Sequence, residues 1–340
     1  MPFIQHIIQH NSVSIVGLAK NTGKTTCLNY VLKRLQTMQK RIAITSIGVD
    51  GEERDVLYDT PKPRITLHGN MVFVTSEQDF ANREFEAEIL SVSERTTPLG
   101  RLVTARALSS GKVVISGPSD SLWLQEMIAE MPKYDVQLTL IDGALSRLSL
   151  ASPAVTDAMI LCTGAAYAVQ LPDLIRKTVF RCRLIDLEQV EPEMQNKLQP
   201  ILNGVWQIDK QGEMREIADS VFTFPNEIEK LSETAQTIYV SGALTDNFLK
   251  ALSAQRKIDI QLIVRDFSRL FFEEGTYNRF IRRGGTIKVL QKAKLLAVCT
   301  NPTSPEGYKM KAVELREQMQ EALQLPVYDI RLIETTDENI

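Results

Sequence analysis

The stretch that most constrains the fold of this chain runs from Ser14 to Thr26, near the N-terminus. Apolar residues lead into Gly17, and five residues separate it from Gly23. An apolar run with helical spacing follows (Leu28, Val31, Leu32 and Leu35). Because glycine lets backbone N–H groups turn towards a polyphosphate with no side chain in the way, this order predicts a strand, a phosphate-binding loop and a helix. We expect the nucleotide to be bound by Gly17, Lys20, Asn21, Thr22, Gly23, Lys24, Thr25 and Thr26.

Two side chains of the loop have an expected role. Lys24 would reach the terminal phosphates and the Thr25 hydroxyl would hold Mg²⁺, while the helix N-terminus faces the anion. The common pattern has four residues between the glycines, whereas this chain has five, which is similar to the dethiobiotin synthetase group of P-loop proteins. Lys20 lies four residues before Lys24 instead of the five of the deviant Walker A pattern, so its role stays open.

Two carboxylates are the expected partners of the magnesium ion. Asp142 ends an apolar strand predicted over 136–143, and P-loop proteins place such a carboxylate near Mg²⁺. Asp50 follows the strand predicted over 41–48, and the carboxyl ends of parallel strands share one rim. The expected catalytic residues are Lys24, Asp142 and Asp50, and the expected metal ligands are Thr25, Asp142 and Asp50. An ordinary strand-end aspartate and a solvated acidic turn remain the alternatives for the two carboxylates.

Composition limits the partners. The 340 residues carry a formal net charge of −3, with no long basic run, so nucleic acid is not expected as a partner. No apolar run is long enough to span a membrane and the first residues lack the pattern of a secretion signal, so we expect a cytoplasmic protein without membrane contact. A homodimer is possible.

The four cysteines (Cys27, Cys162, Cys182 and Cys299) lack zinc-site spacing and are expected to be reduced packing thiols, which leaves Mg²⁺ as the only expected metal.

Alternation of strands and helices predicts an α/β fold. A P-loop nucleotide-binding domain with a mainly parallel sheet is expected over 1–202, followed by a smaller C-terminal α/β domain over 203–340. Helices are expected over 78–94 and 102–108. In the C-terminal domain we expect a hairpin pairing 205–208 with 221–224, and a strand over 295–300 whose following loop is most simply an ordinary turn.

Several stretches together resemble the lysine 5,6-aminomutase reactivase subunit of amino-acid-fermenting bacteria. They are 17–25, 48–52, 61–65, 141–147, 149–153 and the pairs 301–302, 304–305 and 307–308, so the resemblance spans most of the chain. It implies ATP-dependent repair of an adenosylcobalamin-dependent aminomutase, in which nucleotide binding and hydrolysis release damaged cobalamin. The resemblance also implies a second, MutS-like ATPase subunit as a partner.

Two other classes of function compete with this one. A dethiobiotin synthetase-like ligase or kinase would phosphorylate a small carboxylate and would need a cationic anchor, for which Lys20, Lys62 and Arg147 are candidates. A nucleotide-dependent scaffold would bind the nucleotide with little hydrolysis. Stimulation by an aminomutase, stimulation by a small acid, and tight binding without turnover distinguish the three.

Overall fold

The structure is a computed structural model that describes residues 2–46, 54–55, 60–61, 64–144, 152, 155–231, 236–254 and 259–337. The chain divides into two compact units. The first combines Met1–Val179 with Leu295–Ile340, and the second is Phe180–Lys294.

The described residues form twenty strands and eleven α-helices, numbered in chain order. The first strands are β1 (Ser12–Gly17), β2 (Ile42–Ser46), β3 (Arg54–Asp55), β4 (Thr60–Pro61), β5 (Ile65–Leu67), β6 (Val72–Ser76), β7 (Ala87–Thr97), β8 (Gly100–Ala107), β9 (Gly111–Val113), β10 (Leu138–Ala144) and β11 (Ala158–Gly164). The later strands are β12 (Val205–Ile208), β13 (Met214–Ala218), β14 (Thr237–Val240), β15 (Leu244–Thr245), β16 (Gln261–Val264), β17 (Leu270–Phe271), β18 (Thr286–Val289), β19 (Leu295–Asn301) and β20 (Val327–Asp329).

The α-helices are α1 (Pro2–Ile7), α2 (Lys24–Thr37), α3 (Glu77–Ala81), α4 (Ser121–Glu130), α5 (Leu171–Ile185), α6 (Pro192–Leu198), α7 (Phe224–Glu227), α8 (Asp246–Ser253), α9 (Glu274–Arg282), α10 (Ala312–Leu323) and α11 (Ile330–Asp337). Single turns of 3₁₀-helix lie at Met131–Tyr134, Ile228–Lys230 and Phe267–Arg269. Within the described ranges, no helix combines the length and apolar character that crossing a lipid bilayer requires.

A large, mainly parallel sheet organises the first unit. Its strand order is β20-β19-β11-β1-β10-β2-β6-β8-β7. The strands from β20 to β6 are parallel to their neighbours, and β8 and β7 continue the sheet in antiparallel pairing. Every residue of β1 is buried, as expected for a central strand covered on both faces. The prediction of a mixed α/β fold with a mainly parallel sheet is confirmed at this level.

Helix α2 packs on this sheet through the apolar stripe that the sequence predicted. Its buried positions include Leu28, Val31, Leu32 and Leu35, which recur every three or four residues and so share one face. The side chains of this stripe join one apolar core with residues of β1, β10 and β11. Burial of each large aliphatic side chain contributes about 2 kcal/mol to the stability of the unit.

The helices expected over 78–94 and 102–108 are wrong. Only Glu77–Ala81 is helical, and the chain then forms the antiparallel pair β7 and β8 at the edge of the sheet. The charged residues of β7 favour a helix locally, but an edge strand also tolerates charge because one of its sides faces water. Strand β7 pairs with β8, and β8 pairs with β6, so pairing within the sheet decides for strands over helices.

The second unit contains its own five-stranded sheet in the order β13-β12-β14-β16-β18. Strands β14, β16 and β18 are parallel, and β12 is antiparallel to both of its neighbours. The expected hairpin partner of β12 is wrong, because Met214–Ala218 pairs with it and residues 221–224 do not.

The division into units also differs from the expected boundary at residue 202. The last segment of the chain returns to the first unit, where β19 pairs with β11 and β20 pairs with β19. The strand expected over 295–300 therefore forms, but in the first sheet and not in a C-terminal domain of 203–340. Hydrophobic pattern indicates a strand without indicating its partner, so the sequence could not place it.

Candidate nucleotide-binding site

The segment that joins β1 to α2, residues 17–24, is here called the glycine loop. A Cβ atom on Gly17 would lie 2.7 Å from Thr22 Oγ1 and 3.1 Å from the carbonyl oxygen of Ala19, so a side chain does not fit there. The Thr22 hydroxyl donates a hydrogen bond of 2.9 Å to the same Ala19 oxygen. The N–H of Leu18 donates to the carbonyl oxygen of Cys162 on β11, at 2.9 Å. Contacts within the glycine loop thus make it compact, and the hydrogen bond from Leu18 joins it to β11.

The N-terminus of α2 is electropositive. Gly23 caps the helix in the left-handed conformation, with φ 89°, and brings no capping side chain. The first intrahelical hydrogen bond runs from Cys27 N to Gly23 O, at 2.9 Å, so the amides of Lys24, Thr25 and Thr26 have no helical partner. The first turn also contains no acidic residue. Unpaired amides and the helix dipole together make this end electropositive.

The structure brings Lys24 and Asp142 together. Lys24 Nζ lies 2.9 Å from Asp142 Oδ1, and the two side chains are 26% and 17% exposed. Asp142 lies on β10 and is in register with Ile15 of β1 and with Ser46 of β2. The Ser46 hydroxyl donates to the Asp142 carbonyl oxygen at 3.2 Å, which links the two strands beside the ion pair. A cation and a carboxylate from positions 118 residues apart therefore meet beside the helix N-terminus.

The other predicted residues are placed as follows. Lys20 and Asn21 lie on the exposed side of the glycine loop, while Thr25 and Thr26 are half-buried in the first turn of α2. Asp50, Lys62 and Arg147 lie outside the described residues. Their predicted roles stay predictions.

Sequence reasoning missed Asn301, the last residue of β19. Its side-chain amide donates to the carbonyl oxygen of Asn21, at 2.9 Å, and its Oδ1 accepts from Thr303 N, at 3.2 Å. A Cβ on Gly23 would lie 3.1 Å from Asn301 Cβ, so the two backbones approach closely. The Asn-Pro pair at the end of an apolar strand was the available signal, but we expected an ordinary turn of another domain.

Gly164, at the end of β11, also serves this contact. A Cβ on Gly164 would lie 2.1 Å from the carbonyl oxygen of Asn301, so a side chain does not fit there. The same oxygen accepts a hydrogen bond from the N–H of Ala165, at 2.9 Å. Glycine at this position thus allows the close approach of β19.

Three of the four cysteines, expected to be scattered, lie together beneath the glycine loop. The Sγ atoms of Cys27, Cys162 and Cys299 all lie within 4.8 Å of one another, and all three residues are buried. Hydrogen bonds from the other two thiols lower the pKa of Cys162, and the positive charge of Lys24 acts in the same direction. Hydrogen bonding to Cys162, together with burial, raises the pKa of Cys27 and of Cys299.

Comparisons with protein-family models, with curated proteins and with solved structures found no significant match to this chain. The function therefore has to be argued from the site. Its parts are a loop with glycine at its two crowded or left-handed positions, an electropositive helix end, a lysine and a carboxylate, and this set is suited to a polyphosphate with a divalent cation.

Proposed function

We propose that this protein binds a magnesium–nucleoside triphosphate at the glycine loop and hydrolyses it. The proposed nucleotide is ATP. The contact between Lys24 Nζ and Asp142 Oδ1, 2.9 Å apart, carries the proposal. This pair lies beside the N-terminus of α2, where Gly23 provides no capping side chain. The lysine would bind phosphate oxygens, and the carboxylate would attract the metal ion that accompanies them.

The residues present fit a polyphosphate. The tight approaches at Gly17 and the left-handed backbone at Gly23 require a loop without side chains at these two positions, which leaves backbone amides free to face the ligand. The amides of Lys24, Thr25 and Thr26 add three donors without helical partners. Oxygen atoms of the Thr25 hydroxyl and the Asp142 carboxylate are ligands that Mg²⁺ prefers, directly or through water.

Each group then has a defined task. Lys24 and the loop amides would stabilise negative charge on the β- and γ-phosphates. Asp142 and Thr25 would hold the magnesium ion, which supplies charge neutralisation at the phosphates when it is bound. Asp50 is proposed as a further carboxylate that binds Mg²⁺ through water or accepts a proton from the attacking water. The fold proposed with these roles is that of a P-loop NTPase.

We further propose that hydrolysis serves the reactivation of an adenosylcobalamin-dependent aminomutase of the lysine 5,6-aminomutase type. The support is the resemblance in sequence over 17–25, 141–147, 149–153 and the pairs 301–302, 304–305 and 307–308. Hydrolysis would change the surface offered to the aminomutase and to the MutS-like second subunit. Damaged cobalamin would leave the complex as a result.

The first experiment tests nucleotide chemistry. ATP and GTP hydrolysis by the purified protein is compared with that of Lys24→Ala and of a control, Lys133→Ala, which removes an exposed lysine paired with Glu130. We expect Lys24→Ala to lose nucleotide binding or turnover, and Lys133→Ala to keep both. Normal hydrolysis by Lys24→Ala would overturn the proposal.

The second experiment tests the biological role. The protein is added, with ATP and the second subunit, to an aminomutase inactivated with its damaged cobalamin bound. We expect ATP turnover to rise and the damaged cobalamin to be released, so that it passes through a filter that retains the proteins. Unchanged turnover with a complex shown to be active, together with stimulation by a small carboxylic acid, would favour the ligase or kinase. Tight binding without turnover would instead favour the scaffold.

A further inference from the structure

The cluster of three buried thiols plays no part in nucleotide chemistry as proposed above. We propose that Cys27, Cys162 and Cys299 form a binding site for one thiophilic d¹⁰ cation, Cu(I) or Zn²⁺. The three residues come from α2, β11 and β19, so only the folded chain brings them together. This inference does not rest on nucleotide binding.

The size of the cluster fits one ion. A metal–sulfur distance of about 2.3 Å places sulfurs about 3.8 Å apart around a tetrahedral ion and about 4.0 Å apart around a trigonal one. Here Cys27 Sγ and Cys299 Sγ are 3.5 Å apart, and all three Sγ atoms lie within 4.8 Å of one another. Changes of no more than about 1 Å in the sulfur–sulfur distances would therefore complete the geometry.

A disulfide fits less well. Its sulfurs lie about 2.05 Å apart, so Cys27 and Cys299 would have to approach by about 1.5 Å within a packed core. A disulfide would also use only two of the three thiols. The presence of a third sulfur within 4.8 Å of the other two is the feature that favours an ion.

The surroundings favour a soft ion over a hard one. The three cysteines belong to the apolar core that includes Ile15 and Ile160, and within the described part of the chain no further His, Cys, Asp or Glu atom joins the group. Thiolates in such a setting select Cu(I) or Zn²⁺ over Mg²⁺ or Ca²⁺. Three sulfurs satisfy Cu(I), whereas Zn²⁺ would need a fourth ligand such as water.

A bound ion would join the three elements that hold the glycine loop. Cys27 follows Lys24 by one turn of α2, the carbonyl oxygen of Cys162 accepts from Leu18 N, and Cys299 precedes Asn301 by two residues. Cross-linking these elements through one ion would stabilise the folded unit, because the unfolded chain lacks the assembled site.

The test uses the full-length protein, fully reduced and kept under argon. It is titrated separately with Cu(I) and with Cd²⁺ as a spectroscopic substitute for Zn²⁺, and thiolate-to-metal charge-transfer absorption is recorded. We expect saturation at one ion per chain and a higher melting temperature. Saturation by Cu(I) alone indicates a trigonal site, and saturation by both ions indicates that a fourth ligand is recruited.

Variants locate the site. Cys162→Ser is expected to weaken binding by more than about 100-fold, since even loss of an outer-shell partner costs about 10- to 100-fold. Cys182→Ser, which alters a buried cysteine outside the cluster, is expected to bind as the wild type does. If Cys162→Ser does not fold, Cys299→Ala takes its place, with circular dichroism as the check. Absence of charge-transfer absorption with both ions, or an equal loss of binding in Cys182→Ser, would overturn the proposal.

Discussion

Replacing Asn301 tests whether the end of β19 holds the glycine loop in its binding form. Asn301→Ala removes two hydrogen bonds, one from the side-chain amide to the Asn21 carbonyl oxygen, at 2.9 Å, and one that Oδ1 accepts from Thr303 N, at 3.2 Å. The backbone oxygen of residue 301 still accepts from Ala165, so strand pairing is kept. The hydrogen bond to Asn21 contributes about 1 kcal/mol net, and its loss from the binding form of the loop would weaken nucleotide affinity about 5-fold. The free energy of unfolding should fall by no more than about 2 kcal/mol, because two such hydrogen bonds are lost and water can hydrate the exposed Asn21.

Asn301→Asp separates the two contacts of this side chain. An aspartate keeps an acceptor for Thr303 N but cannot donate to Asn21, and it places a negative charge near the bound phosphates. We therefore expect affinity to fall in the order wild type, Asn301→Ala, Asn301→Asp.

Titration with a fluorescent ATP analogue in the presence of Mg²⁺ measures the affinities, and urea denaturation measures the stabilities. Asn82→Ala, a change at the exposed end of α3, is the control. Wild-type affinity in Asn301→Ala, or in Asn301→Asp, would show that the amide does not hold the loop for binding and would refute the reasoning.

Three further changes test other parts of the first unit. Asp142→Asn should retain most nucleotide affinity but reduce hydrolysis about 100-fold, because the magnesium-side charge is lost; steady-state kinetics beside equilibrium binding measure this, and equal loss of both would indicate a structural role. Gly117→Ala should lower the free energy of unfolding by about 3 kcal/mol, because its Cβ would lie 1.7 Å from the last carbonyl oxygen of β2. Urea denaturation should show little change for the control Gly69→Ala, whose Cβ meets only an ordinary contact at 3.6 Å. Arg101 holds the pKa of Glu77 below its ordinary value of 4.5 through a side-chain hydrogen bond, so the stability from this pair is present above pH 4.5 and is lost as pH falls further. Denaturation of wild type and Glu77→Gln should therefore differ at neutral pH and converge in acid, and a difference that grows in acid would contradict the assignment.

The sequence by itself determined the strand, loop and helix around Gly17 and Lys24. Each of these depends on neighbours within a few residues: an apolar run, a glycine where the backbone is crowded or left-handed, and a helical stripe that begins directly after the loop. The apolar run before Asp142 likewise determined a buried strand, and parallel order made it reasonable to expect that carboxylate on the same rim as Lys24. Short-range patterns suffice for features of this kind.

Only the tertiary structure decided which strands are neighbours. The pattern of 295–301 predicts a strand in any sheet, and its pairing with β11 depends on contacts between residues more than 100 positions apart. That pairing brings Asn301 to the glycine loop and Cys299 to the other two thiols. The same reason explains β7 and β8, where local charge favoured helices and pairing at the sheet edge favoured strands. Side chains from distant positions meet only when the whole sheet forms, so no local pattern could place Asn301 against the glycine loop or bring the three thiols together.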